Sequence, residues 1–195
     1  MAKATKAESE ATAERVRSTA AALFAAHGFA VVGLEQVATA ANVTRGAVYH
    51  HFTNKRELFE AVASRAQQNV ADLVVDAAEA EADPWAGLLA GCRAFLTASL
   101  SDTHRRILLI DAPSVLGWSA WRQQDANASG RHLEEALREL SDDGVISVHS
   151  VVGTATLLSG AMNEAALHIA EAENSSATLE SVWVDLARIM AALRV

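Results

Sequence analysis

Five side chains suited to a polyanion, Thr44, Arg45, Tyr49, His50 and Lys55, fall within twelve residues of one another. Thr44, together with the free amides of a helix's first turn, suits a phosphate, because a helix N-terminus favours anions. Arg45 carries the planar fork that pairs bidentately with guanine O6 and N7. Gly46 and Ala47 are small enough to let a helix backbone approach a groove. Tyr49 and His50 are amphipathic donors that reach phosphates, while Val48 and Phe52 face inward. Lys55 follows at the start of the next helix, beside the same surface.

These groups act together only if short helices hold them. Leu34 to Ala41 has the pattern of one helix and Thr44 to His51 of another, with Thr44 as its N-cap. Asn42 lies in the turn between them, where a left-handed conformation is expected and asparagine tolerates it. Two short helices joined by a three- or four-residue turn form a helix-turn-helix, whose second helix enters the DNA major groove. A helical hairpin packed in a core, with Tyr49 and His50 half-buried, is the competing reading.

The surrounding chain is patterned at helical spacing throughout, and no period-two alternation survives, which predicts an all-α fold of about nine helices. Val16, Ala20, Leu23, Phe24 and His27 make one stripe of a first helix ending near Gly28. Asn54 with Glu57 reads as a capping box for a fourth, carried to about Ala80. Asp83-Pro84 starts a fifth that runs to about Leu100. A sixth begins at Ser101-Asp102 and is expected to end at Pro113. The seventh covers roughly 118–140 with a break at Gly130, and the eighth about 147–172. The ninth carries the cleanest stripe, Leu179, Val182, Trp183, Leu186, Ile189, Met190 and Leu193.

The charge is unevenly spread. The net charge is −8 overall, yet residues 1–60 sum to +1 and residues 61–195 to −9, and all three lysines lie in the first part. That balance argues against binding nucleic acid over the whole surface and leaves room for a local basic patch. One cysteine, Cys92, excludes an internal disulfide and reads as a small buried residue. Val151 to Ala170 approaches membrane-spanning length but contains Thr154, Thr156, Asn163, Glu164 and His168, so a buried helix is expected and no membrane partner. With no targeting segment at residues 1–15, the expected location is cytoplasmic.

Little supports an enzyme. The chain has no Gly-rich phosphate loop, nucleophile elbow or Cys-x-x-Cys. His50 and His51 point to different sides of a helix, and Glu164 with His168 would give two metal ligands where a site needs more. No metal and no cofactor are therefore expected. A helical adaptor that only dimerises would leave Arg45, Tyr49 and Lys55 without purpose.

The run "AALFAAHGFAVVGLEQVATAANVTRGAVYHHFTNKRELFEAV" from Ala21 strongly resembles the DNA-binding domain of the tetracycline-repressor (TetR) family. The matching positions include Leu23-Phe24, Gly28-Phe29, Val37-Ala38, Val43-Thr44, Gly46, Val48-Tyr49, His51-Phe52, Lys55 and Leu58. The resemblance implies that Arg45, Ala47 and Gln36 face bases and that Thr44, Tyr49, His50 and Lys55 hold phosphates. It departs at Gly33, where the family has a hydroxyl residue that caps helix two and touches a phosphate. The implied domains are a DNA-binding head over 1–56, with 1–10 as a flexible arm carrying Lys3 and Lys6, and a helical body over 57–195.

For the body the resemblance implies dimerisation and ligand sensing. Val152, Ala155 and Leu158 on helix eight and Val182, Leu186, Ile189 and Met190 on helix nine would form a four-helix homodimer interface, the alternative being that they fill the monomer core. Trp85, Phe95, Leu108, Trp118, Trp121 and Met162 would line a largely apolar pocket. Asp111, Arg122, Asn163 and His168 are its candidate polar groups. The whole reading is a dimeric regulator, a repressor released from palindromic double-stranded DNA by a small-molecule effector.

Overall fold

The computed structural model of the chain describes residues 5–98 and 100–195, so Lys3 of the expected arm lies outside the described residues. Local capping chemistry sets most helix starts. Thr5 opens α1 (Lys6–His27) with a complete capping box to Glu8, so residues 6–10 are helix rather than arm. Thr44 opens α3 (Arg45–His51) by accepting from the Ala47 amide at 3.2 Å. Asn54 opens α4 (Lys55–Glu79) by accepting from Glu57 N, while the Glu57 carboxylate reaches back to Thr53 N at 2.8 Å. Asp83 caps α5 (Pro84–Ala98) through the Ala86 amide. Between them α2 (Leu34–Ala40) starts at Gly33, which has no side chain to cap with.

Two later helices are composite. Rod α6 spans 102–116, α-helical at its ends and π-helical over Arg105–Asp111. Pro113 therefore does not end it, contrary to expectation. The wider turn passes the Ala112 amide back to Ile107, and proline sits just inside the α-helical end, where its missing N–H costs least. The stop comes at Gly117, at φ 91°. Rod α7 spans 118–142, with a π-helical stretch at Ala126–Gly130. Its break is at Ala128 (φ −104°, ψ −106°), two residues before the glycine expected to cause it. Helix α8 (Val151–Glu171) starts at the Ser150 cap, later than expected, which leaves Val148 in the preceding loop. Helix α9 (Ser175–Ala191) starts at Asn174. Among the described residues there is one isolated antiparallel bridge, Ile146 to Arg194, and no strand.

The chain divides into two compact units. The first runs to Ala66 and includes Asp102–Trp121; the second holds Gln67–Ser101 and Arg122–Val195. The first unit is built on Phe24, Phe29 and Phe59, whose ring centroids lie 5.0–5.9 Å apart, with Val16, Val37, Val48 and Leu58 buried around them. Rod α6 belongs here because polar ties fix it to the α1–α2 turn. Asp111 Oδ2 accepts from the Phe29 amide at 2.8 Å and from Arg106 Nε at 3.4 Å. Arg56 also donates to the Leu116 carbonyl at 3.1 Å. Gly28 takes φ 80°, ψ 160°, a region open only to glycine, and the Arg106 guanidinium fills the space a Cβ would need.

The second unit packs α5, the 131–142 part of α7, α8 and α9 around Leu88, Leu96, Leu137, Leu158, Ile169 and Met190. Ala155, Leu158, Leu186 and Met190, expected at a dimer interface, are 0–6% exposed and belong to this core. Val182 packs against it. The outward apolar side chains of the same helices are Val152, Leu157, Val184 and Ile189, at 49–76% exposure. Among the described residues no helix is long and apolar enough to cross a membrane.

Candidate nucleic-acid interface and internal cavity

The α2–α3 pair is a helix-turn-helix with the expected turn. Asn42 sits at φ 52°, and the Val43 amide reaches the Ala38 carbonyl at 3.0 Å. Val48 and Phe52 anchor α3 inward, at 0% and 7% exposure. Arg45, Gly46, Tyr49 and His50 are exposed, which removes the packed-hairpin alternative. Ala47 is half-buried; Gln36 and Glu35 are exposed on α2.

Arg45 is already engaged. Its guanidinium pairs with the Glu35 carboxylate and lies 5.3 Å from the centroid of the Tyr49 ring. Tyr49 foremost, with Glu35, favours its charged form. Glu35 was missed in the sequence, where a carboxylate beside a DNA-reading arginine has no local signature. Lys55 is tied more tightly: Nζ donates to the Phe29 carbonyl at 2.8 Å and the Ala30 carbonyl at 3.3 Å, 4.3 Å from the Phe29 ring centroid. It thus joins the start of α4 to the α1–α2 turn and keeps one donor to spare. Nothing lies within 4 Å of where a Gly33 side chain would begin.

The second unit contains a cavity of about 330 Å³ between the end of α4, α5, α7 and α8. Of the ten side chains expected around a pocket, Phe95 and Met162 line it. Arg122 and Asn163 stand behind it, donating to Asp125 Oδ2 at 2.9 Å and 3.0 Å. Trp85 is in the core of the same unit, and His168 is exposed. Leu108, Asp111, Trp118 and Trp121 fall in the first unit, because α6 and the start of α7 pack there.

The missed lining residues include apolar ones such as Val74, Leu88 and Leu133 and polar ones on α7, Asp125, Ser129, His132, Glu135 and Glu139. The π-helical stretch at Ala126–Gly130 interrupts the α-helical phase between Asp125 and His132, and helical periodicity alone gives no sign of it. Asp125 is 2% exposed; burial raises its carboxyl, opposed by Asn163, Arg122 and the Ser159 hydroxyl. Cys92 also lines the cavity, and burial pushes its thiol up to about 12, which keeps it an unreactive thiol. Glu164 and His168 are both exposed, and no three His, Cys, Asp or Glu gather in metal-binding reach among the described residues.

A helix-turn-helix in one compact unit, together with a helical second unit that holds a cavity, places the chain in the class of helix-turn-helix DNA-binding regulators. Comparison gives the family. Residues 16–62 match the model for bacterial regulatory proteins of the tetR family, and residues 85–193 match the tetracyclin repressor-like C-terminal domain. The chain belongs to the TetR family. A TetR-family transcriptional regulator from Pectobacterium atrosepticum is similar in structure, with a TM-score of 0.81 at 30% identity over 98% of each chain. RolR in complex with resorcinol shares the fold, with a TM-score of 0.71 at 19% identity over 95% of this chain and 90% of RolR. The protein named "Probable acrEF/envCD operon repressor" in Escherichia coli K12 is 54% identical over 59 residues, 30% of this chain. The chain spans about a quarter (27%) of that repressor's length.

Proposed function

We infer that this chain is a sequence-specific transcriptional regulator, a repressor that binds a palindromic operator as a homodimer and leaves it when a small molecule fills the body cavity. The observation that carries this is α3 itself: a capped helix with Arg45, Tyr49 and His50 exposed along one edge and Val48 and Phe52 locked beneath. Such a helix enters the major groove with its N-terminal residues toward the bases. Arg45 reads a guanine; the Thr44 turn, Tyr49, His50 and the spare donor of Lys55 hold phosphates, with Gln36 and Ala47 beside the bases.

Val152, Leu157, Val184 and Ile189 support dimerisation through outward faces of α8 and α9. Two-fold symmetry then sets two heads about one helical turn of DNA apart. The apolar cavity supports an effector, and RolR holds a small aromatic ligand in the same fold. An effector acts by favouring a conformation whose heads no longer match adjacent grooves, and a coupling of about 1–3 kcal/mol is enough. This role involves no chemical step and belongs in the cytoplasm, where the DNA is.

The test is selection of bound duplexes from a random pool by the purified protein at two salt concentrations. Enrichment of a two-fold palindrome that persists at the higher salt is expected. Binding without a preferred sequence that vanishes as salt rises is charge attraction alone and refutes the reading.

A further inference from the structure

The helix-turn-helix carries no formal net charge. Residues 34–51 contain one arginine, Arg45, and one carboxylate, Glu35, with no lysine and no aspartate. These two side chains stand on different helices, ten residues apart, and are paired with each other. The Tyr49 ring lies over the guanidinium from within α3, 5.3 Å from centroid to Cζ. At 62% and 73% side-chain exposure, the pair stands in water on the outer face and fills no core. The next lysine along the chain, Lys55, is turned back to the Phe29 and Ala30 carbonyls. A surface meant for a polyanion thus presents its central cation already cancelled.

The strengths of the competing contacts decide when the pair opens. An exposed ion pair is worth up to about fivefold in an equilibrium constant, whereas a bidentate guanine contact discriminates against a wrong base by roughly five- to hundredfold. Guanine therefore wins Arg45 from Glu35. A solvated phosphate offers Arg45 little beyond the carboxylate it already holds, and accepting it leaves Glu35 uncompensated beside the DNA backbone.

We propose that Glu35 is a specificity-determining residue: it keeps Arg45 neutralised on non-operator DNA and yields it only to guanine, so it weakens binding to the wrong sequence more than to the right one. On DNA with no guanine in reach the pair stays closed, and Arg45 releases no counterion from a phosphate. The role rests on the DNA-binding reading above and adds the residue that holds down affinity for wrong sequences. Glu35 also stands in the first turn of α2, where a negative charge favours the helix dipole. That local effect alone changes stability and leaves sequence preference untouched.

The test compares affinities of the full-length protein for two duplexes of equal length over a range of salt. One is the palindrome enriched in the selection above, the other its scrambled sequence. Glu35→Gln keeps the length of the side chain and removes its charge. It is expected to tighten the scrambled duplex more than the palindrome, lowering the preference between them about two- to fivefold. The salt dependence on the scrambled duplex should steepen by about 0.9 in log–log slope, the contribution of one phosphate. In an Arg45→Ala background the same substitution should change both duplexes alike, because the effect runs through Arg45. Equal tightening of both duplexes with Arg45 present would be a general charge effect and overturns the role. So does a loss of preference that persists without Arg45, or a shifted melting temperature with preference unchanged. In those cases the wild-type preference for the palindrome stands, and the regulator reading with it. Wild-type protein that binds both duplexes equally removes that reading and the role of Glu35 together.

Discussion

Arg45 has two competing partners. In the free protein its charge is met by Glu35 and its face by Tyr49, so reading a guanine means exchanging the carboxylate for the base edge. Glu35→Gln should therefore tighten binding to every DNA sequence, since it frees Arg45 and removes a negative charge from a phosphate-facing surface. Arg45→Ala should instead relax preference at one base position, a loss of about 1–3 kcal/mol of discrimination there. Selections with the two variants distinguish these effects, and equal relaxation by both would refute the division. Asp125 makes a pH prediction. Its carboxyl is raised by burial, so the folded chain holds that proton more tightly than the unfolded chain does. The group therefore supports folding most at low pH, and that support is lost as pH rises through the native value. Asp125→Asn should gain melting temperature relative to wild type as pH rises above the ordinary aspartate value of about 4. A constant difference as pH rises would show that the burial is relieved in solution.

At the level of elements, what was local was legible. The caps at Thr44, Asn54 and Asp83 and the left-handed Asn42 are decided by a few neighbouring residues, and each stands where the sequence placed it. The composite rods were not legible, because a π-turn has no residue signature of its own and Pro113 reads as a stop when only α-helical hydrogen bonding is considered. The pocket residues expected at Leu108 and Asp111 were misplaced for another reason. Order in the chain assigns rod α6 to the body, whereas long-range ties from Asp111 and Arg56 place it in the first unit. Helix α2 offers a gain. Gly33→Ser should stabilise the head by a few tenths of a kcal/mol through capping, and should raise affinity for all DNA sequences by adding a phosphate contact. Thermal melts read the first effect and salt-dependent binding the second; a stabilised head with unchanged affinity would mean that α2 does not touch the backbone.

For the whole molecule, the useful contrast lies between two adjacent leucines. Leu157 is 76% exposed and Leu158 6% exposed, about 100° apart around α8. Most of the apolar stripes legible in sequence fill the core, while Val152 and Ile189 among them face outward, a division set by neighbours that no single helix reveals. Leu157→Arg should leave the fold within about 0.5 kcal/mol of wild type while converting a dimer to a monomer in analytical ultracentrifugation, with loss of palindrome binding. Leu158→Arg should simply unfold the second unit. A Leu157→Arg protein that stays dimeric would move the interface elsewhere.

The π-helical stretch in α6 has a consequence for comparing this chain with its relatives. A π-turn holds one residue more than an α-turn, so Arg105–Asp111 carries the equivalent of a one-residue insertion inside a helix. Deleting a residue there would return the rod to α-helical winding while its two ends keep about the same relative rotation, because the π-turn is what absorbs the extra residue. Pro113 would then press on the carbonyl four residues before it. Alignment gaps are usually sought in loops; here a single gap within seven helical residues marks which relatives lack the π-turn that accommodates Pro113.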